Sequence, residues 1–242
     1  MFISVKEMAK YWNIAPSGVL HVGAHLAEEA AEYEKYSWLP AIWVEAQPEL
    51  VKILEFKLDK SKHTIFEAAV WDEGGVDLDL HIASSSQSSS LLNLGTHLDL
   101  YPDIEFISQV KVTTKRLDEI ISPENMPNFI NIDIQGAELK ALIGLGPLIE
   151  LVDFIYVEVN KKEVYENCAK VKDLDEFLLN FGFNRKCTRW YLNQGWGDAL
   201  YLRPTRGRSR NMRQRLASLR MNCSFYFKQS PAVVKSLLPN KS

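Results

Sequence analysis

The chain reads as an α/β protein built on a doubly wound, mostly parallel sheet that ends in an antiparallel hairpin. Three observations predict this. Short apolar runs at residues 19–22, 41–44, 129–134 and 154–159 alternate with stretches of helical period. The runs close on small or polar residues, among them Gly23, Glu45 and Asn160, as strands feeding loops do. After Gly182 the helical period stops, and two runs around Gly195 and Gly197 pair as a hairpin.

Residues 4–12 form a short helix, with Ser4 as N-cap and Glu7 at capping-box spacing. Pro16 and Gly18 stop it before the first strand. That strand turns at Gly23, Ala24 and His25 into a helix opened by Glu28 and Glu29. Ala27, Ala30, Ala31 and Tyr33 let this helix pack closely on a sheet. Pro40 precedes the second strand, which stops at Glu45. Gln47 and Pro48 start another helix, with Leu50, Ile53, Leu54 and Leu58 at helical spacing. A third strand at 64–70 leaves through an acidic turn ending in Gly74 and Gly75.

Residues 76–82 alternate Val76, Leu78, Leu80 and Ile82 with Asp77, Asp79 and His81, a half-exposed strand. Residues 84–90 are serine apart from Gln87. Their composition is that of a linker, and the sharper reading is a loop over the mouth of a site. A short strand at 110–114 and a helical turn at 117–121 follow. Strand 129–134 carries Asp133 near its end; Gly136 and Ala137 then open a helix at 138–145, which Gly146 and Pro147 end. Strand 154–159, a helix at 173–180 and the run 183–189 lead to hairpin arms at 190–193 and 199–202.

With 242 residues and 46% hydrophobic content, the chain fills one α/β core. We divide it into an N-terminal helical lead-in (1–18), a principal domain (19–202) and a basic tail (203–242). The tail holds ten Lys and Arg and no Asp or Glu, so the rest, with eighteen basic and thirty-one acidic residues, carries a net charge of -13. Arg206, Arg208, Arg210, Arg213, Arg215 and Arg220 surround an apolar face of Met212, Leu216 and Leu219. Packing on the acidic body, nucleic acid and an anionic membrane surface compete as its partner, in that order. Cys168, Cys187 and Cys223 lack metal-ligand or disulfide spacing, and no signal core or membrane-spanning run is present, so a cytoplasmic location is expected.

In open parallel sheets, ligands sit beyond the carboxyl ends of the strands. That edge collects Gly23, His25, Glu45, Ala69, Asp133, Glu158 and Asn160. Glu45, about twenty residues past the glycine, stands where a ribose diol is held, a job that suits a double acceptor. The turn shows Gly23, His25 and Glu28 where a dinucleotide loop needs glycines, and its acids repel phosphate. A Rossmann-like site of this kind favours S-adenosylmethionine (SAM), which carries a sulfonium and no phosphate, over NAD or ATP. The bland alternatives are a ligand-free turn, and helix caps or solvated charges for the acids.

The segment Asn131-Ile132-Asp133-Ile134-Gln135-Gly136-Ala137-Glu138, continued by Leu139, Leu142 and Gly144, resembles the signature of FkbM-type SAM-dependent methyltransferases. Leu20 to His25, Glu45, Ala69, Ser89-Ser90-Leu91, Leu117-Asp118-Glu119, Glu158-Val159-Asn160 and Trp196-Gly197-Asp198-Ala199 also match, so the resemblance covers roughly residues 19–202. It implies a class I methyltransferase fold, with a cofactor loop at Gly23, Ala24 and His25. It also implies ribose binding at Glu45, adenine near Ala46 and Ala69, and Asp133 at the reacting end. Ser89, Ser90, Glu158 and Asn160 would lie nearer the acceptor. His21, Asn131 and Ala27 depart from the family pattern, which more often has an acid, a Lys and a Gly there.

The implied activity is methyl transfer to a hydroxyl of a sugar, glycan precursor or similar small molecule. Asp133 is the first candidate for base or orienter and His25 the second, although a donor role suits His25 better. A divalent cation on Asp133, Glu158 and Asn160 is a less favoured option, and no metal site is assigned. The rival from another class is a non-catalytic module of the same fold that holds nucleic acid through its tail. An NAD-dependent oxidoreductase ranks third.

Overall fold

The computed structural model describes residues 1–96, 101 and 103–204; the tail beyond Pro204, with its arginine-rich face, lies outside them. The chain opens with α1 (Val5–Trp12), β1 (Val19–Val22), α2 (Ala30–Lys35), β2 (Ala41–Glu45), α3 (Pro48–Lys57) and β3 (His63–Glu67). It continues through β4 (Ala69–Val70), β5 (Asp77–Ala83), β6 (Phe106–Lys115), α4 (Leu117–Ile120), β7 (Phe129–Ile132) and α5 (Glu138–Gly144). The last described elements are β8 (Phe154–Asn160), α6 (Val171–Asn180), β9 (Asn184–Trp190) and β10 (Trp196–Leu202).

Seven strands form the main sheet in the order β3-β2-β1-β7-β8-β10-β9. The first five are parallel, and β10 runs antiparallel to both its neighbours. This is the doubly wound, mostly parallel sheet expected of a Rossmann-like class I methyltransferase fold. Winding goes outward from β1 through β2 to β3, then restarts at β7 on the other side. The crevice between β1 and β7 is therefore the switch point where such sheets hold ligands.

Both faces of β1, β2, β7 and β8 are buried, which is why these strands read as apolar runs. Leu20, Val22, Ile42, Ile130, Ile155 and Val157 pack with α5 and α6 residues such as Leu142 and Leu178. On the other face, Val19, Trp43, Phe129 and Tyr156 meet Met8 and Trp12 of α1, Tyr33 of α2 and Leu54 of α3. The lead-in thus contributes to the main core. Its Ser4–Glu7 capping box is present on both sides.

Several elements differ from the sequence expectation. The helix after Gly23 does not begin at Glu28: His25 and Ala27 adopt left-handed φ of 46° and 49°, which delays it to Ala30. The expected strand at 64–70 is two strands. Its first part edges the main sheet, and Ala69–Val70 turns off to pair with β6. That pairing and the β5–β6 hairpin make a separate three-stranded sheet, with β6 ten residues long where five were expected. Helix α3 buries Val51 and Leu54 while Ile53 and Phe56 are exposed. Strand β7 stops at Ile132, one residue before Asp133. The hairpin's first arm is β9, and Gly197 lies inside β10.

Candidate active site

At the switch point, Gly23 follows β1 with φ 86°, and its N–H and that of Ala24 both donate to Val44 O. A Cβ built on Gly23 would stand 1.8 Å from Asp133 O, so only glycine lets the ends of β1 and β7 come this close. A cavity of about 70 Å³ opens beside this junction. Gly23, His25, Glu45, Ala46, Ser89, Ser90 and Asp133, seven of the predicted site residues, line it. Gln47, Ala68, Val70, Ser86 and Gln135 complete much of the wall, and the lining contains neither Lys nor Arg.

Four expected residues are not in that lining. Ala24 packs into the aromatic side of the core. Ala69 is buried between Ala68 and Val70; because the strand breaks at Ala68, these two neighbours face the cavity in its place. Glu158 and Asn160 are 4% and 0% exposed at the end of β8, on the face that carries Asp198 and Trp196 across the ladder. Both atoms of the Asn160 amide lack a hydrogen-bond partner.

Glu45 ends β2 and is 6% exposed. Its Oε1 accepts from the N–H groups of Ala46 (3.0 Å) and Gln47 (2.9 Å), and its Oε2 from that of His25 (2.8 Å). Three of roughly four acceptor positions are thus taken, which leaves room for one ligand hydroxyl rather than the two expected from the sequence. Burial nonetheless holds its pKa above the ordinary value.

His25 joins two loops. Its Nδ1 is 2.7 Å from Glu28 Oε1 and its Nε2 2.8 Å from Ser86 Oγ. Gln47 Nε2 adds a 3.4 Å bond to Ser86 O, so the serine stretch lies clasped over the cavity mouth. Burial lowers the His25 pKa, but the Glu28, Glu45 and Asp133 carboxylates outweigh it and the net shift is upward. With both nitrogens engaged, His25 serves here as a clasp. Ser89 Oγ accepts from Ala83 N–H, and Ser90 Oγ donates to Gln135 O at 2.7 Å.

The acids concentrate on the far side. Asp133 reaches cleft solvent but is crowded from behind; burial and the Asp198 carboxylate push it up to about 6. Glu138 is buried, accepts from Ile134 and Gly136 N–H groups, and is raised to about 7, chiefly by burial. Burial and the neighbouring acids Asp133, Glu138 and Asp198 raise Glu158 well above its usual range. Beneath them His21 is stacked on Trp43 (4.8 Å), 3.3 Å from Tyr33 Oη and from Asn131 Nδ2, and burial lowers its pKa. The two departures at His21 and Asn131 therefore satisfy one another. Among the described residues no three His, Cys, Asp or Glu cluster as metal ligands, and no helix is long and apolar enough to cross a membrane.

These shifts set a pH dependence of stability. Asp133 and Glu138 hold protons to about 6 and 7 in the fold, against ordinary values of 3.8 and 4.5. The folded state binds more protons in that window, so stability falls as pH rises through it. His21 acts oppositely below 6.5 but is one group against two. We expect a higher melting temperature at pH 5.5 than at pH 8, read by circular dichroism; the reverse order would mean these carboxyls are not confined as described.

Sequence reasoning expects the 84–90 stretch over the mouth of the site without singling out Ser86, and misses Gln135, Glu138 and Asp198. Glu138 and Asp198 lie within the segments that carry the family resemblance, but nothing local assigns them a role; Ser86 has no signal beyond its serine run.

A profile of the methyltransferase FkbM domain matches residues 21–185. Over 126 residues the chain is 28% identical to the 2-O-methyltransferase NoeI of Sinorhizobium fredii (strain NBRC 101917 / NGR234), a match that takes in 48% of this chain and 51% of NoeI. The chain thus spans about half the length of that curated relative. Among solved structures it is similar to Sp1610 of Streptococcus pneumoniae, at 16% identity and a TM-score of 0.47 over 97% of this chain and 79% of that one. It is also similar to the magnesium protoporphyrin IX methyltransferase ChlM of Synechocystis PCC 6803, at 11% identity and 0.43 over 77% and 69%. The profile match takes in more than half of the 242 residues and contains both Glu45 and Asp133, and the chain belongs to the methyltransferase FkbM domain family.

Proposed function

We propose that the protein is a SAM-dependent methyltransferase acting on a hydroxyl of a small molecule, such as a sugar or glycan precursor. The observation that carries this is the cavity at the β1–β7 switch point, with Glu45 fixed in its wall, neither Lys nor Arg in its lining, and its one imidazole, His25, already engaged by Glu28. A pyrophosphate cofactor needs cations or a glycine-rich loop there, whereas a sulfonium is drawn to the acids. The glycine-only approach at Gly23 brings the ends of β1 and β7 together beside the cavity, with Asp133 at that junction. The family supports methyl transfer, and NoeI, named a 2-O-methyltransferase, supports oxygen as the acceptor atom.

In this reading Glu45 Oε2 holds one ribose hydroxyl, and Ala46, Ala68 and Val70 pack on adenine. Bound SAM would supply an activated methyl group. Asp133 orients the acceptor hydroxyl and takes its proton, a role that suits a carboxylate whose pKa lies near working pH. Glu158 and Asn160 lie toward the acceptor. The clasp of His25 and Gln47 on Ser86 must open to admit a ligand larger than the present cavity.

Calorimetry with SAM, its demethylated product S-adenosylhomocysteine (SAH) and NAD tests the cofactor. Binding of the first two in the micromolar range and none of NAD is the expected result; binding of NAD alone would overturn it. Labelled methyl transfer from SAM to glucose and N-acetylglucosamine, set against transfer to RNA, then tests the acceptor class.

A further inference from the structure

Gln135 has a left-handed backbone, with φ 55°, directly before Gly136 at φ 105°. A glutamine pays a steric penalty for that conformation, and such outliers persist only where surroundings enforce them. Here the enforcement is visible. Ser90 Oγ donates to the Gln135 carbonyl at 2.7 Å, and the buried Glu138 carboxylate accepts from the N–H groups on both sides, Ile134 (3.2 Å) and Gly136 (2.9 Å).

The conformation turns the side chain into the gap between two acids. Its Nε2 donates to Asp133 Oδ1 at 2.7 Å and to Glu158 Oε2 at 3.0 Å, while its Oε1 accepts from Tyr165 Oη at 2.6 Å. Gln135 is the one side chain among the described residues that hydrogen-bonds both carboxyls. The titratable groups facing this pair are Asp198 of β10, Glu138 of α5, Glu29 before α2, His25, the hydroxyls of Tyr165 and Tyr101, and the α-amino group of Met1. Acids predominate, so once both are ionised Asp133 and Glu158 would repel and turn apart without an amide between them.

We propose that Gln135 is a positioning residue: its amide clamps Asp133 and Glu158 as a fixed pair, Tyr165 fixes the amide, and Asp133 is thereby held with its second oxygen free for the acceptor. The assignment of that oxygen to the acceptor rests on the methyltransferase reading; the clamp itself does not. A glutamate at this position would add a negative charge and lose the shared donor. The amide's orientation is imposed by Tyr165, whose hydroxyl donates to Oε1 and leaves Nε2 for the acids.

The test is carboxyl titration by carbon-13 NMR on the full chain, comparing wild type with Gln135→Leu, Gln135→Glu and Tyr165→Phe. Gln135 donates to the ionised forms of both acids, so its loss should raise the titration midpoints of Asp133 and Glu158 together, with a smaller shift in the same direction for Tyr165→Phe. Midpoints unchanged from wild type in Gln135→Leu would overturn the clamp. If that variant does not fold, Tyr165→Phe carries the test alone, and an unchanged Asp133 midpoint there overturns it equally. SAH calorimetry on the same wild-type sample separates the two claims. Absent binding refutes the cofactor reading while a shifted titration still supports the clamp; binding with no shift refutes only the clamp.

Discussion

Gly23→Ala is expected to abolish SAM binding and to lower the melting temperature by roughly 6–12 °C, corresponding to about 3 kcal/mol at this chain length. The reason is geometric. The new methyl would lie 1.8 Å from Asp133 O and 3.0 Å from Ile134 Cγ2, and the backbone φ of 86° is itself unfavourable for alanine. Neither obstacle is the tip of a flexible side chain. Relief requires β1 and β7 to part, which breaks the Asp133 N–H bond to Val22 O and moves the cavity floor. Backbone strain and overpacking each cost about 1–3 kcal/mol. Thermal melts and SAM calorimetry on one preparation check both halves. A variant that melts and binds as wild type does would show that the β1–β7 junction is looser than described.

The second large effect belongs to Glu45. Glu45→Ala strands three backbone N–H groups, and each unsatisfied donor costs on the order of 1–3 kcal/mol unless cleft water replaces the carboxylate. We expect a stability loss of about 2–4 kcal/mol by urea unfolding, together with at least a tenfold loss of SAM affinity from the missing charged acceptor. Glu45→Gln is the more telling variant. Its amide keeps one oxygen acceptor and turns an NH2 toward backbone donors, so it should recover less than half of the stability. Full recovery would mean that the negative charge is dispensable and that shape alone matters at this position.

What could be read from the sequence follows the range of the forces involved. The Ser4–Glu7 capping box, the Pro48 start of α3 and the double-sided apolar strands β1, β2, β7 and β8 are local patterns, and they appear as expected. Gly23, Glu45 and Asp133 were legible because each sits where an apolar strand ends. The break at Ala68 was not, since it depends on β6, more than forty residues away, offering Ala69 and Val70 a second sheet. That break is why Ala68 and Val70 line the wall in place of the Ala69 that the sequence points to. The clasp between His25 and Ser86 spans 61 residues, and neither partner carries a pattern that points to the other. Gln135 lies inside the segment that carries the family resemblance, but its contacts need Glu158 and Tyr165 brought to it by the fold.

The strand order carries a consequence for biosynthesis. Strand β9 touches the main sheet only through β10, which follows it in the chain and slots between β9 and β8. While a ribosome has released residues only as far as Asn193, β8 is an open edge and β9 has nothing to pair with. Such an edge invites pairing with another nascent chain. A stalled or prematurely terminated product lacking residues 196–202 should therefore collect in aggregates and be cleared by proteases, even though every residue lining the cavity has already been made.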